Sequence, residues 1–221
     1  GLDAVNLSLD TFDRDKFEQI TGSDLFGKVR ENMDALLDAG IPFKLNAVAM
    51  RGFNDDELPA FIDYAMHHPI DVRFIEFMPM GEGTRWSDSC FWSAPDILDA
   101  VKGLVAVAPV EQEQRNGGPA RLYTLSGPDG PGLGRLGLIS PLSSHFCTSC
   151  NRLRITSDGA LRTCLFDDRE YRLRNALRHP KLGIEAVRRI VTLATRDKPI
   201  GARLLERRHN AVAQRRMTAI G

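Results

Sequence analysis

Three of the four cysteines fall in one short stretch, as Cys147, Cys150 and Cys164 with the spacing C-x2-C-x13-C. Any fold for this chain has to bring them together. A Cys-x2-Cys turn aims two sulfurs at one point, and the third arrives from the far arm of an expected hairpin. In that hairpin Leu153, Ile155 and Leu161 are the strand-like residues and Ser157-Asp158-Gly159 is the turn. Thiolates are soft ligands that suit zinc or iron–sulfur centres. Three are one short of the four that close a structural zinc site or fully ligate a cubane. The residues alone leave two readings. In one, His145 is the fourth ligand of a structural zinc in a nucleotide- or partner-binding module without catalysis. In the other, an iron–sulfur centre keeps one iron open to a substrate. Arg152 and Arg154 follow the pair as alternate residues, so a strand would point both to one face. Guanidinium forks bind phosphate and polar ring edges bidentately, which suits a polyanionic or heteroaromatic ligand.

The first part of the chain alternates between two periodicities. Residues 4–10 alternate apolar and polar, as a strand does. Lys16 to Ile20 is a short helix by pattern, and Asp24 to Ala39 is a longer one, with Leu25, Val29, Met33, Leu36 and Leu37 at helical spacing and Gly40 as its stop. Residues 43–50 are a second strand, a helix begins at Asn54-Asp55, and residues 72–78 are a third strand. Strand, helix, strand, helix, strand predicts parallel pairing with crossover helices. Sites in such architectures collect at the carboxyl ends of the strands. Ser8, Lys44 and Met78 lie on or near those ends. Packing explains Ser8 as a satisfied hydroxyl and Met78 as core filler. It does not explain Lys44, an ammonium inside an otherwise apolar strand.

Beyond residue 80 the pattern changes. Met80 to Trp92 and Gln112 to Pro119 read as loops, and Ser93 caps a helix running to Lys102. Arg121 to Leu125 and Arg135 to Ser140 read as strands, and this region looks antiparallel. Ser126 to Gly134, with four glycines and two prolines, reads as a turn-rich connector. It lacks the following Lys-Ser/Thr of a phosphate loop. Leu173 to Arg178 and Ile184 to Thr195 read as helices, and Arg203 to Arg216 as a solvated tail.

Net charge is zero, but the two parts of the chain differ. Residues 1–146 carry 12 Lys/Arg against 22 Asp/Glu, and residues 147–221 carry 17 against 7. A basic half can attract phosphorylated metabolites or dock on an acidic surface of the same chain. No aromatic stacking motif is interleaved with the charge, which argues against nucleic-acid binding. No apolar run approaches the length of a membrane span, and the expected location is cytoplasmic. Cysteines gathered in a ligand-like cluster argue against a disulfide framework. Cys90 stands alone.

The motif Phe146-Cys-x2-Cys-Asn-Arg-Leu-Arg-Ile-Thr, followed by Gly159-x-Leu-Arg-x-Cys-Leu-Phe, resembles the C-terminal cluster motif of the GTP 3′,8-cyclases. These are radical S-adenosylmethionine enzymes of molybdenum cofactor (molybdopterin) biosynthesis. Asn6-Leu7-Ser8-Leu9-Asp10, Ile20-Thr21-Gly22, Lys44-Leu45-Asn46, Arg73 to Met78 and Gly81-Glu82-Gly83 resemble that family in the same order. The resemblance implies an α/β fold: the C-terminal part of an incomplete parallel TIM-like barrel over residues 1–80, then an α+β iron–sulfur region with antiparallel strands over residues 81–221. It implies a 4Fe–4S cluster on Cys147, Cys150 and Cys164 with one open iron, GTP contacts from Lys44, Arg152, Leu153 and Arg154, and S-adenosylmethionine contacts from Ser8 and Met78. It also implies a second 4Fe–4S cluster on an N-terminal C-x3-C-x2-C. This sequence has no such motif, so the expectation is a fragment without the family's first third that generates no radical alone. The implied partners are GTP and a downstream cyclic pyranopterin monophosphate synthase acting on the product; homodimer formation is left open. The family ends in two glycines, whereas this sequence ends Ala219-Ile220-Gly221, which leaves Gly221 without an assigned role.

Overall fold

The computed structural model describes residues 3–81, 84–111 and 118–207. Its contacts group into two compact units, residues 1–77 with 88–144, and residues 78–87 with 145–221.

In the first unit, β1 (Val5–Ser8) is followed by α1 (Arg14–Thr21) and α2 (Phe26–Asp38). The Asp13 carboxylate caps α1 by accepting from the Lys16 N–H, and Gly22 ends it in the left-handed region. Next come β2 (Phe43–Ala49), a 3-10 turn over Asp55–Glu57, α3 (Leu58–His67) and β3 (Asp71–Glu76). After α4 (Ala94–Lys102) come β4 (Ala106–Pro109), β5 (Arg121–Gly127) and β6 (Gly130–Ile139). The strands form one sheet in the order β1-β2-β3-β6-β5-β4. The first four in that order are mutually parallel, and β6, β5 and β4 pair antiparallel.

Register sorts the side chains by face. Leu7, Leu45, Val72 and Leu136 are paired across β1, β2, β3 and β6. This apolar face packs with Phe17, Met33, Phe61, Ile62, Ile97 and Val101 from the helices in one buried core. Each fully buried side chain of this kind contributes roughly 1.5–3 kcal/mol. The opposite face is polar. Asn6, Lys44, Asp71 and Arg135 form one cross-strand row, and Ser8, Asn46, Arg73 and Gly137 form the next.

The antiparallel strands extend the parallel sheet, so a division at residue 80 separates β3 from its neighbour β6. The expected connector over Ser126 to Gly134 is the hairpin of β5 and β6, with only Pro128-Asp129 between the strands. The glycines there serve close approach. A Cβ on Gly134 would lie 2.3 Å from the Ile70 carbonyl oxygen and 2.5 Å from that of His68. One on Gly132 would lie 2.7 Å from Met66 Sδ.

In the second unit a 3-10 turn over Cys147–Ser149 leads to three short antiparallel strands, β7 (Arg154–Ile155), β8 (Ala160–Arg162) and β9 (Tyr171–Arg172). The β7–β8 turn is closed by Thr156, whose N–H donates to the Ala160 carbonyl at 2.8 Å and whose hydroxyl accepts the Ala160 N–H at 2.9 Å. Gly159 takes φ +83° there, and a Cβ on it would lie 2.7 Å from Arg174 Cβ. Helices α5 (Leu173–Arg178), α6 (Gly183–Arg196) and α7 (Gly201–Arg207) follow. Leu161, Leu173 and Ala194 are buried together under Tyr171, Val187, Ile190 and Val191.

The expected solvated tail is helical as far as Arg207, and its remainder lies outside the described residues. So do Glu82, Gly83, the 112–117 part of the expected loop, and Gly221. No helix among the described residues is long and apolar enough to cross a membrane.

Candidate functional site

The cysteine motif is held in the second unit. Cys147, Cys150 and Cys164 are all free and half-buried. The Cys147 carbonyl accepts the Cys150 N–H at 3.3 Å, closing the 3-10 turn that sets the first two side by side. Cys164 lies two residues past the end of β8. Burial pushes its thiol up; the Phe166 N–H lowers it, and the negative charges of Cys147, Asp167 and Cys150 raise it further. The three sulfurs therefore sense one another. Burial also pushes the Cys150 thiol up, but the Arg152 N–H and the Lys198 ammonium outweigh it and hold Cys150 below the ordinary thiol range.

The opposite shifts set an order of reactivity. In the cluster-free chain, iodoacetamide should label Cys150 at lower pH than Cys164, because only the thiolate attacks. Peptide mass spectrometry across a pH series reads the order directly, and equal labelling curves would contradict it.

Cations surround the sulfurs. Lys198, in the segment between α6 and α7, donates to the Cys150 carbonyl at 2.7 Å, the Arg152 carbonyl at 2.9 Å and Cys150 Sγ at 3.4 Å. Arg154 pairs with Arg162 across β7 and β8. Its pKa is lowered by burial and by the charges of Arg152 and Arg162, and raised by those of Cys150 and Cys164. Arginine stays charged regardless, and of this group Arg162 has a carboxylate partner, Asp168 Oδ1 at 3.6 Å. Arg162 is 0% exposed. Its Nη2 donates to the Leu165 and Asp167 carbonyls, while Nε and Nη1 are buried without hydrogen-bond partners.

Arg152 departs from expectation. It precedes β7 rather than lying on a strand with Arg154, and its guanidinium sits 4.9 Å from the Phe146 ring centroid. Leu153, also ahead of β7, is exposed. Among the described residues no three His, Cys, Asp or Glu side chains are gathered so as to hold one metal ion. A cubane spreads its thiolates over separate irons, so its sulfurs stand farther apart than the ligands of a single ion.

Ser8 and Lys44 lie on the polar face of the first unit's sheet. Ser8, exposed at the carboxyl end of β1, pairs with Asn46; Lys44, between Asn6 and Asp71, is the second residue of β2 and so lies at that strand's amino end, not near the carboxyl end as expected. Met78 is two residues past β3 rather than on it, and groups with the second unit. Sequence reasoning passed over Asp71 and Arg73. Asp71, 5% exposed, receives Arg73 Nη2 and Arg135 Nε, each at 2.8 Å. A Cβ on Gly137 would lie 2.7 Å from Arg73 Cγ, so that glycine makes room for the arginine. The signal was present: Arg73, like Lys44, is a cation inside an apolar strand. Lys198 gave no signal, because its contacts form between segments 48 residues apart.

Residues 70–204 match the family model described as Molybdenum Cofactor Synthesis C, and residues 1–65 match that of the Radical SAM superfamily. The chain is 42% identical over 223 residues to a GTP 3′,8-cyclase of Alkaliphilus oremlandii, covering 100% of this chain and 65% of that relative. It is 38% identical over 205 residues to a GTP 3′,8-cyclase of Streptomyces coelicolor, covering 92% of this chain and 59% of the relative. The GTP 3′,8-cyclase of Thermodesulfovibrio yellowstonii is 38% identical over 203 residues, covering 91% and 61%. The chain thus spans 65% or less of the length of these relatives.

Proposed function

The chain belongs to the Molybdenum Cofactor Synthesis C family, and from that premise we propose that the whole protein converts GTP to 3′,8-cyclo-7,8-dihydro-GTP in molybdenum cofactor biosynthesis. The Radical SAM match implies 4Fe–4S chemistry and S-adenosylmethionine. We place a 4Fe–4S cluster on Cys147, Cys150 and Cys164, with one iron left for the substrate. The observation that carries this reading is the meeting of three free, half-buried thiols with the clustered guanidinium groups of Arg152, Arg154 and Arg162 in one unit. A cluster held by thiolates is anionic, and so is a triphosphate; either relieves the repulsion among Arg152, Arg154 and Arg162. The buried, unpartnered N–H groups of Arg162 fit the same kind of neighbour.

When bound, the cofactors supply the radical chemistry. The residues of this chain bind and orient. Arg152 and Arg154 present guanidinium groups to GTP, with Leu153 between them. Lys44 offers an ammonium to GTP from the polar sheet face, and Ser8 and Met78 contact S-adenosylmethionine. Arginines fixed before the reaction supply charge and orientation without reorganising during it.

Anaerobic reconstitution followed by iron, sulfide and GTP-binding measurements tests this. About four irons per chain are expected, the cubane stoichiometry. Arg154→Ala should keep its iron and weaken GTP binding by about 1.5–3 kcal/mol, the loss of a charge-assisted hydrogen bond. A colourless chain without iron, or wild-type GTP affinity in the variant, would refute the assignment.

A further inference from the structure

The short segment Lys198-Pro199-Ile200-Gly201 touches the cysteine motif at both ends. At one end the Lys198 ammonium spends its three N–H donors on the Cys150 carbonyl, the Arg152 carbonyl and Cys150 Sγ, at 2.7, 2.9 and 3.4 Å. An ammonium has three donors, so all of them go to one turn of chain. At the other end Gly201, the first residue of α7, lies against Cys164: a Cβ there would stand 2.8 Å from Cys164 Sγ and 2.9 Å from Phe166 Cδ2. Its neighbour Ala202 is buried. The segment is anchored at the Lys198 side by its N–H donating to the Thr195 carbonyl at 3.3 Å, and at the Gly201 side by the Arg203 N–H donating to the Ile200 carbonyl at 3.1 Å.

We infer that residues 198–201 form a clasp over the cluster site, in which Lys198 is a positioning residue for the Cys150–Arg152 turn and a hydrogen-bond donor to one ligand sulfur. The inference rests on the placement of a cluster on these cysteines. Two consequences follow from the geometry. Lys198 ties the sulfur of Cys150 and the backbone of Arg152 to the same atom, so the orientation of the substrate-facing arginine and that of the ligand are set together. A positive charge and an N–H donor on a ligand sulfur also favour the more negative, reduced state of the cluster, as outer-shell hydrogen bonds to sulfur do elsewhere. Gly201 contributes by having no side chain: any Cβ would push Cys164 away from its partners.

The test uses the full chain reconstituted anaerobically with ferrous iron and sulfide, as wild type, Lys198→Met, Lys198→Arg and Gly201→Ala. Iron and sulfide content, the electron paramagnetic resonance spectrum of the reduced cluster and its midpoint potential are measured, with circular dichroism to confirm the fold. Lys198→Met should shift the midpoint to a more negative potential and alter the spectrum, and Lys198→Arg should restore most of both. Gly201→Ala should hold less iron than wild type. A folded Lys198→Met chain that loses its cluster altogether also supports the clasp. Wild-type iron content, spectrum and potential in Lys198→Met overturn it. A wild-type chain that takes up no iron fails one step earlier, at the cluster assignment, and removes both readings together.

Discussion

Glu76→Ala should destabilise the first unit by about 1–3 kcal/mol, the cost of leaving a buried donor without its acceptor. Glu76 ends β3 and is 1% exposed. Its Oε1 accepts the Ala94 N–H at 2.9 Å and the Ser143 hydroxyl. Its Oε2 accepts the Leu142 and Ser143 N–H groups at 2.8 and 3.0 Å. Four donors converge on one carboxylate, and three are backbone groups with no freedom to turn elsewhere. Ala94 is the first residue of α4, where the exposed N–H groups of a helix favour a negative charge. Truncation leaves the buried Ala94 N–H unpaired and returns the Leu142 and Ser143 donors to water. Chemical denaturation followed by circular dichroism measures the loss. Glu76→Gln should fall between wild type and alanine, since it keeps one acceptor. A Glu76→Ala midpoint within error of wild type would show that the turn at 140–144 does not depend on this side chain.

Cys164→Ala should leave the reconstituted chain with background iron and sulfide. Cys147 and Cys150 would then be the only thiols of the motif, and two ligands hold a cubane poorly against exchange. Cys164 also has the most to lose from standing alone, because burial and the charges of its two partners all raise its pKa. A metal that binds the thiolates removes that penalty, and its departure restores it. Cys90, in the other unit, supplies the control: Cys90→Ser should retain the full iron content. Iron and acid-labile sulfide assays after gel filtration separate the two outcomes. Cys164→Ala with wild-type iron would move the cluster elsewhere.

The parts of this structure that could be read from the sequence were those governed by local periodicity. Val5, Leu7 and Leu9 against Asn6, Ser8 and Asp10 gave β1, and α4 starts where Ser93 caps it, whereas α1 starts at Arg14, two residues before the expected Lys16. The parts that could not be read depend on what arrives from far away. Gly132 and Gly134 carry the composition of a loop, yet they lie in β6, where Met66 of α3 and the His68 and Ile70 carbonyls between α3 and β3 leave no room for a side chain. The antiparallel strands looked like a separate region, since nothing local to β6 announces that it pairs with β3. In the site, the cysteine spacing and Arg154 were legible from order alone. Arg152 was misplaced on a strand, because its stacking on Phe146 is a tertiary choice. Lys198 was invisible for the same reason.

The pairing of β3 with β6 has a consequence for how the chain reaches this state. Asp71 and Arg135, partners in that ladder, stand 64 residues apart. During synthesis the β1–β2–β3 layer emerges first, with Val72 and Phe74 on an edge whose permanent neighbour has not yet been made. Long-range parallel pairing is slow to form, and the waiting edge is prone to capture by another chain. Slower translation and lower temperature should therefore raise the yield of monodisperse protein more than any change to the cluster site.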